Sequence, residues 1–182
     1  AGNFTCLEMD ELNNRVLAYN RDDNNIYQVT VNSSSLPIGV SIFGSVTPGT
    51  ALGIADRYTS MSIEDDQIYL SGPNGIIAHG TISAGSIVWT DESSNIRPNS
   101  LSGIMQISTT AIAALGDNAN AVVYEGISSS VSAVKNSVDA IDNYSDVSTG
   151  YDGTTGSNQF TGVSHEGNID KFELVSGVLN RT

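Results

Sequence analysis

An antiparallel all-β fold is what this sequence predicts, and three observations predict it. Apolar residues from Ile26 onward recur with a period of two, as in Ile26-Tyr27-Gln28-Val29-Thr30-Val31. Strand-like runs arrive roughly every 10 to 15 residues, too close together for intervening helices. The segments between them are built from Gly, Asn, Asp and Ser, the residues that tolerate turn geometry.

Taken in order, Leu7, Leu12, Val16 and Leu17 fit either one short helix or a lead-in to a strand, and Asn13-Asn14 weakens the helix. Asp22-Asp23-Asn24-Asn25 is a turn before the strand at Ile26–Val31. Further strands are expected at Gly39–Phe43, Tyr58–Ile63, Gln67–Leu70, Ile76–Ser83, Ile87–Thr90, Gly103–Ile107, Ala111–Leu115, Ala121–Gly126, Gln159–Ser164 and Lys171–Val175. Glu64-Asp65-Asp66, Gly72-Pro73-Asn74-Gly75, Gly116-Asp117-Asn118 and His165-Glu166-Gly167-Asn168 supply the turns.

One segment breaks the pattern. Ile127, Val131, Val134, Val138 and Ile141 alternate four and three apart, a heptad stripe that predicts one short helix near 127–144. Serine at many of its other positions makes such a helix marginal alone, so it needs a partner: its own sheet, or copies of itself. Val and Ile along the whole seam favour a trimer over a dimer.

These elements fit a sandwich or barrel-like domain over 1–126, the heptad helix and a joint over 127–149, and a small β-tail over 150–182; a single domain over 1–182 fits equally. A second architecture is propeller-like. Four hairpin-like units end at Val31, Ile82, Ile127 and Val175, a period of about 48 residues, within the range of propeller blades.

Composition narrows the function. Seven Lys and Arg against 20 Asp and Glu leave a net charge of −13, and no basic cluster exists. Such a surface repels a phosphate backbone and an anionic membrane alike. No run of about 18 apolar residues is present to span a bilayer. The single cysteine, Cys6, forbids an internal disulfide. Ala1 is compatible with removal of an initiator Met or of a signal peptide. Sequons at Asn3, Asn32, Asn143 and Asn180 number about what chance supplies at this Asn, Ser and Thr content.

No motif carries a reaction. Ser164-His165-Glu166 unites three triad residue types, but neighbours on a strand point to opposite faces, and the flanking glycines are not those of a nucleophile elbow. Cys6, His79 and His165 are too few and too scattered for zinc. Acidic turns at Asp22, Asp23, Glu64, Asp65, Asp66, Asp142, Asp146 and Asp152 lack the spacing of a calcium loop, so no cofactor is expected and calcium stays a minor alternative. Paired glycosidase carboxylates can be neither placed nor excluded among 20 acids. Trp89 is the candidate for stacking on a sugar.

In style, the chain resembles structural proteins of tailed-phage virions: fibre, appendage and decoration subunits. The shared traits are short polar strands, the Ser/Val segment Ile127–Ile141, the Gly-Thr-rich joint Gly150–Gly156, an acidic surface and no disulfide. The resemblance implies a non-enzymatic, homo-oligomeric building block, placed in a virion or outside the cell, whose partners are copies of itself, other virion proteins or surface glycans. The expected oligomer contacts are Ile127, Val131, Val134, Val138 and Ile141. The alternative is a carbohydrate-binding β-module, a lectin-like adhesin using Trp89.

Overall fold

The computed structural model describes residues 2–10, 13–32, 34, 36–44, 58–73, 76–91, 100–108, 111–117, 121–125, 134–138, 143–149, 158–176 and 178–182. They form sixteen strands in four antiparallel meanders. The first sheet is β1 (Phe4–Asp10), β2 (Arg15–Asn20), β3 (Asn25–Val31) and β4 (Pro37–Ile42). The second is β5 (Ser60–Glu64), β6 (Gln67–Ser71), β7 (Ile77–Ser83) and β8 (Ser86–Asp91). The third is β9 (Ser100–Ser108), β10 (Ala111–Asp117), β11 (Ala121–Glu125) and β12 (Val134–Val138). The fourth is β13 (Tyr144–Thr149), β14 (Gln159–Ser164), β15 (Ile169–Val175) and β16 (Val178–Arg181).

The strand order within each sheet is the order of the sequence, so every internal connection is a hairpin. The turns obey local chemistry. Asn14, Asn24 and Asp65 take positive φ, as Asn and Asp tolerate, and Gly167 does so where the last long hairpin reverses. Asp10 is buried at the first hairpin, where its carboxylate accepts from the Asn13 amide and from Arg15 Nε at 2.6 Å. The Arg15 guanidinium in turn lies 4.3 Å from the centre of the Phe43 ring.

Period-two patterning then stacks the sheets face to face. One seam joins Leu17, Tyr19 and Ile26 of the first sheet to Ile63, Ile68 and Trp89 of the second. The next joins Tyr69 and Ile77 to Ile104 and Ile112. The last joins Leu115 and Val123 to Tyr144, Phe160 and Phe172. Each seam removes several large side chains from water, at about 1.5–3 kcal/mol for each one fully buried. The first strands of the sheets, β1, β5, β9 and β13, lie successively against one another. The outer faces of the first and fourth sheets carry exposed apolar side chains: Leu7 on one is 63% exposed, and Ile169 on the other is 72% exposed.

The antiparallel all-β class is therefore present, in the propeller-like arrangement rather than as a sandwich or barrel. The heptad helix is corrected. Val134–Val138 is β12, hydrogen-bonded to β11 in register Val122↔Ser137 and Val123↔Asn136, and Tyr144 already opens β13. A step of four is also an even number, so such spacing fits strand alternation as readily as a helix face. The helix candidate Leu7–Asn20 is likewise a β1–β2 hairpin, the Asn13-Asn14 pair forming its turn. β13 comes from the expected joint and β14–β16 from the expected tail.

Gly103 marks where the third and fourth sheets come closest. A Cβ there would stand 2.8 Å from the Val147 nitrogen and 3.0 Å from the Asp146 carbonyl carbon, both backbone. Gly39, on the exposed strand β4, has nothing within 4 Å of the same position. Gly103→Ala is expected to cost about 1–3 kcal/mol in urea unfolding, and Gly39→Ala less than about 0.5 kcal/mol; equal midpoint shifts would contradict this close approach.

Candidate functional site

Two features of the arc stand out: the cavity where the first strands converge, and the uncovered outer face of the first sheet.

The cavity begins with a β-bulge. Thr5, Ser102 and Ser145 are skipped by the ladders that pair their neighbours, and Thr59 sits just ahead of the paired Ser60 with its amide on the Ser71 carbonyl. A bulged residue is unpaired and its side chain is re-aimed. Here the hydroxyls point across the seams. Thr5 Oγ1 donates to the Tyr58 carbonyl at 2.8 Å, Thr59 Oγ1 to the Leu101 carbonyl at 3.1 Å, and Ser102 Oγ to the Tyr144 carbonyl. Donor and acceptor are 53, 42 and 42 residues apart, so one contact recurs at each successive seam. Each acceptor is the residue immediately before the next sheet's bulged hydroxyl, giving Phe4-Thr5, Tyr58-Thr59, Leu101-Ser102 and Tyr144-Ser145. Two buried serines add to the second seam: Ser60 Oγ accepts the Ile104 amide and Ser62 Oγ the Gln106 amide.

Around these latches lies a cavity of about 240 Å³, lined by all four first strands and including Cys6, Glu8 and Asp146. Burial pushes the Glu8 carboxyl up to about 7, and the negative charges of Asp146 and Glu64 push in the same direction. Burial likewise raises the Cys6 thiol to about 12, so it is an unreactive thiol at neutral pH. Among the described residues no group of three or more His, Cys, Asp or Glu is placed to hold a metal ion.

The second feature is apolar. Cross-strand register puts Leu7, Met9, Val16, Val29, Val40 and Ile42 on the same face of the first sheet, the one turned away from the second sheet. Val40 and Ile42 are each 57% exposed, and Ile38 beside them is 63% exposed. Exposed apolar residues scattered singly are ordinary; a contiguous stripe across the sheet is not.

The residues singled out in the sequence fall elsewhere. Trp89 is buried in the seam between the first two sheets, against residues of both, and its ring face is not offered to a sugar. Val134 and Val138 lie on β12; Ile127, Val131 and Ile141 lie outside the described residues, as do Asp142 and Asp152. Ser164 is buried and serves its own turn, its Oγ accepting the amides of Glu166 and Asn168. His79 stacks on Tyr69 at 4.5 Å with Nε2 2.6 Å from Gln67 Oε1, and burial lowers its pKa against the opposing charge of Asp66. The latches went unread in the sequence, although the repeated bulky-hydroxyl pair was there to find.

The architecture matches solved propellers. Over 99% of its length this chain is similar to the structure of U3-55K, with TM-score 0.67 and 11% identity, and to the RRP9 WD40 repeats, with TM-score 0.68 and 11% identity; it covers 51% of each. The computationally designed Ika8 protein matches over 98% of this chain and 48% of its own, with TM-score 0.62 and 10% identity. At these identities the likeness concerns the fold, and the chain spans about half the length of these structures. No family model matches the sequence. No curated protein matches it either. The class defined is thus a propeller-like arc of four blades.

Glu8 gives this site a pH signature. Its carboxyl holds a proton to about pH 7 in the folded chain and to about 4.5 in the unfolded one. Its contribution to stability is then complete below pH 4.5 and is lost as the pH rises through 7. Glu8→Gln is expected to melt above the parent protein at about pH 8 and to converge with it at about pH 4; parallel melting curves over that range would refute the raised carboxyl.

Proposed function

We propose that this chain is a non-enzymatic structural subunit that works by assembling through the outer face of its first sheet. The observation that carries this reading is the apolar stripe of Leu7, Met9, Ile38, Val40 and Ile42, which a lone subunit would leave in water. The apolar faces between successive sheets are sealed in seams. The latched seams supply rigidity, which suits a part that presents a fixed surface to its neighbours. Half-propeller geometry supports the same conclusion, because radial arrays of blades are stable when both faces of each blade are covered.

The trimer expected from a helical seam loses its basis, since Val134–Val138 is a strand. A lectin-like reading through Trp89 loses its support for the reason given above. A virion fibre, appendage or decoration subunit remains the setting we propose, in keeping with the acidic, disulfide-free composition.

The test is solution mass. Light scattering is expected to report more than the 19.1 kDa of one chain. Replacing Leu7 and Val40 together by Asp should return the mass to one chain, with the far-ultraviolet β-spectrum retained because both sites are exposed. A parent protein that stays at one chain up to high concentration would overturn assembly.

A further inference from the structure

The two open ends of the arc carry opposite halves of one contact. At each internal seam a hydroxyl at the start of one sheet donates to the carbonyl of the residue that precedes the corresponding hydroxyl of the next. Ser145 is the fourth such hydroxyl, and no fifth sheet follows it among the described residues. It is exposed, and its Oγ is turned onto the Val163 carbonyl of its own sheet at 3.0 Å. Phe4 holds the acceptor's place ahead of Thr5, and no described sheet precedes the first. The faces around these positions agree. The first sheet presents Leu7, Val40 and Ile42, and the fourth presents Val163, paired with Asp146, and Ile169, paired with Val163, with Val175 and Val178 further out.

We propose that a second copy of this chain closes the arc. The outer face of the first sheet of each copy packs on the outer face of the fourth sheet of the other. Each Ser145 hydroxyl swings from Val163 to the other copy's Phe4 carbonyl, repeating the latch of the internal seams. The inference rests on the assembly reading above and adds the partner, the copy number and the direction of the contact. The repeated latch selects a second copy over another polypeptide. The donor and acceptor ends belong to the same repeating device, so each end fits the other better than an unrelated surface. Two sets of four blades make about eight, the upper end of the usual range for a closed ring. Such a head-to-tail contact closes after two copies when each copy spans half a turn, as an eight-bladed ring requires. The acidic cavity then faces its counterpart, and the ring has one axial channel lined by Glu8 and Asp146 of both copies.

Complementation tests the direction of the contact. Leu7→Asp spoils the first face and Ile169→Asp the fourth, both at exposed positions where folding is retained, as far-ultraviolet dichroism will check. Each variant alone is expected to be a monomer, since each of the two contacts in a ring would include one spoiled face. An equal mixture should regain the mass of two copies, because one copy's intact first face meets the other's intact fourth face. Ser145→Ala should weaken the parent dimer by about fivefold in dissociation constant for each latch lost. If Ile169→Asp assembles as the parent does, the contact is symmetric and the ring is overturned while assembly through the first sheet stands. Growth of the parent beyond two copies with concentration also overturns closure. A parent that is monomeric throughout overturns both readings, leaving the two faces to a different polypeptide. An unchanged dissociation constant in Ser145→Ala overturns the latch.

Discussion

The contact on which the rest of this molecule depends is a hydroxyl at the start of one sheet, donating across the gap to the next. Face-to-face packing of side chains is non-directional, and it would let adjacent sheets slide or rotate about their apolar seams. A hydrogen bond from Thr5 to Tyr58, from Thr59 to Leu101 and from Ser102 to Tyr144 removes that freedom at the inner end of each sheet. Each is worth only about 0.5–1.5 kcal/mol net. Their weight comes from repetition and place: they fix the angle between consecutive sheets at the point where the strands converge, and the accumulated angle sets the curvature of the arc. Gly103 belongs to the same constraint, because the third and fourth sheets reach latch distance only where no Cβ intervenes.

Fixing the inner ends has an electrostatic consequence. Drawing four strands together brings Glu8 into the neighbourhood of Asp146 and Glu64 in a partly dehydrated cavity, and one carboxyl then holds its proton to near neutrality. The outer faces bear the opposite consequence. Among the described residues, the outer faces of the first and fourth sheets carry exposed apolar side chains. Three apolar seams hold the four sheets to one another. The assembly proposed for this chain would extend the packing that holds the subunit together.

Local rules carried much of the strand pattern and misread one segment. Gln159–Ser164 was legible to the residue, and Gln67–Ser71 and Ile77–Ser83 to within one, because alternation and turn chemistry agree there. The helix near 127–144 failed because spacings of three and four do not discriminate when few residues are involved, and because β11 offers Val134–Val138 a ladder of backbone hydrogen bonds. β1 was missed for a related reason. Phe4–Asp10 has little alternation of its own and becomes a strand by pairing with β2, whose register Leu7↔Ala18 and Met9↔Val16 is a property of the hairpin. Of the functional features, Trp89 was visible but misplaced: an aromatic on a strand has equal standing as core or as ligand platform until the neighbouring sheet is known.

By itself the sequence determined the antiparallel class, the positions of most turns, the acidic surface and the absence of an internal disulfide, all of which follow from residue chemistry acting over a few positions. It also contained a period near 48 residues without saying what repeated. Tertiary structure alone decided that the repeating unit is a four-stranded sheet, that Trp89 is interior, and that Thr5, Thr59 and Ser102 reach the next sheet rather than water. The reason is that a strand's two faces are equivalent until something packs on one of them. Which face is sealed, which hydroxyl finds a carbonyl and which apolar stripe is left open are properties of the stacking, and stacking joins residues 42 to 53 positions apart.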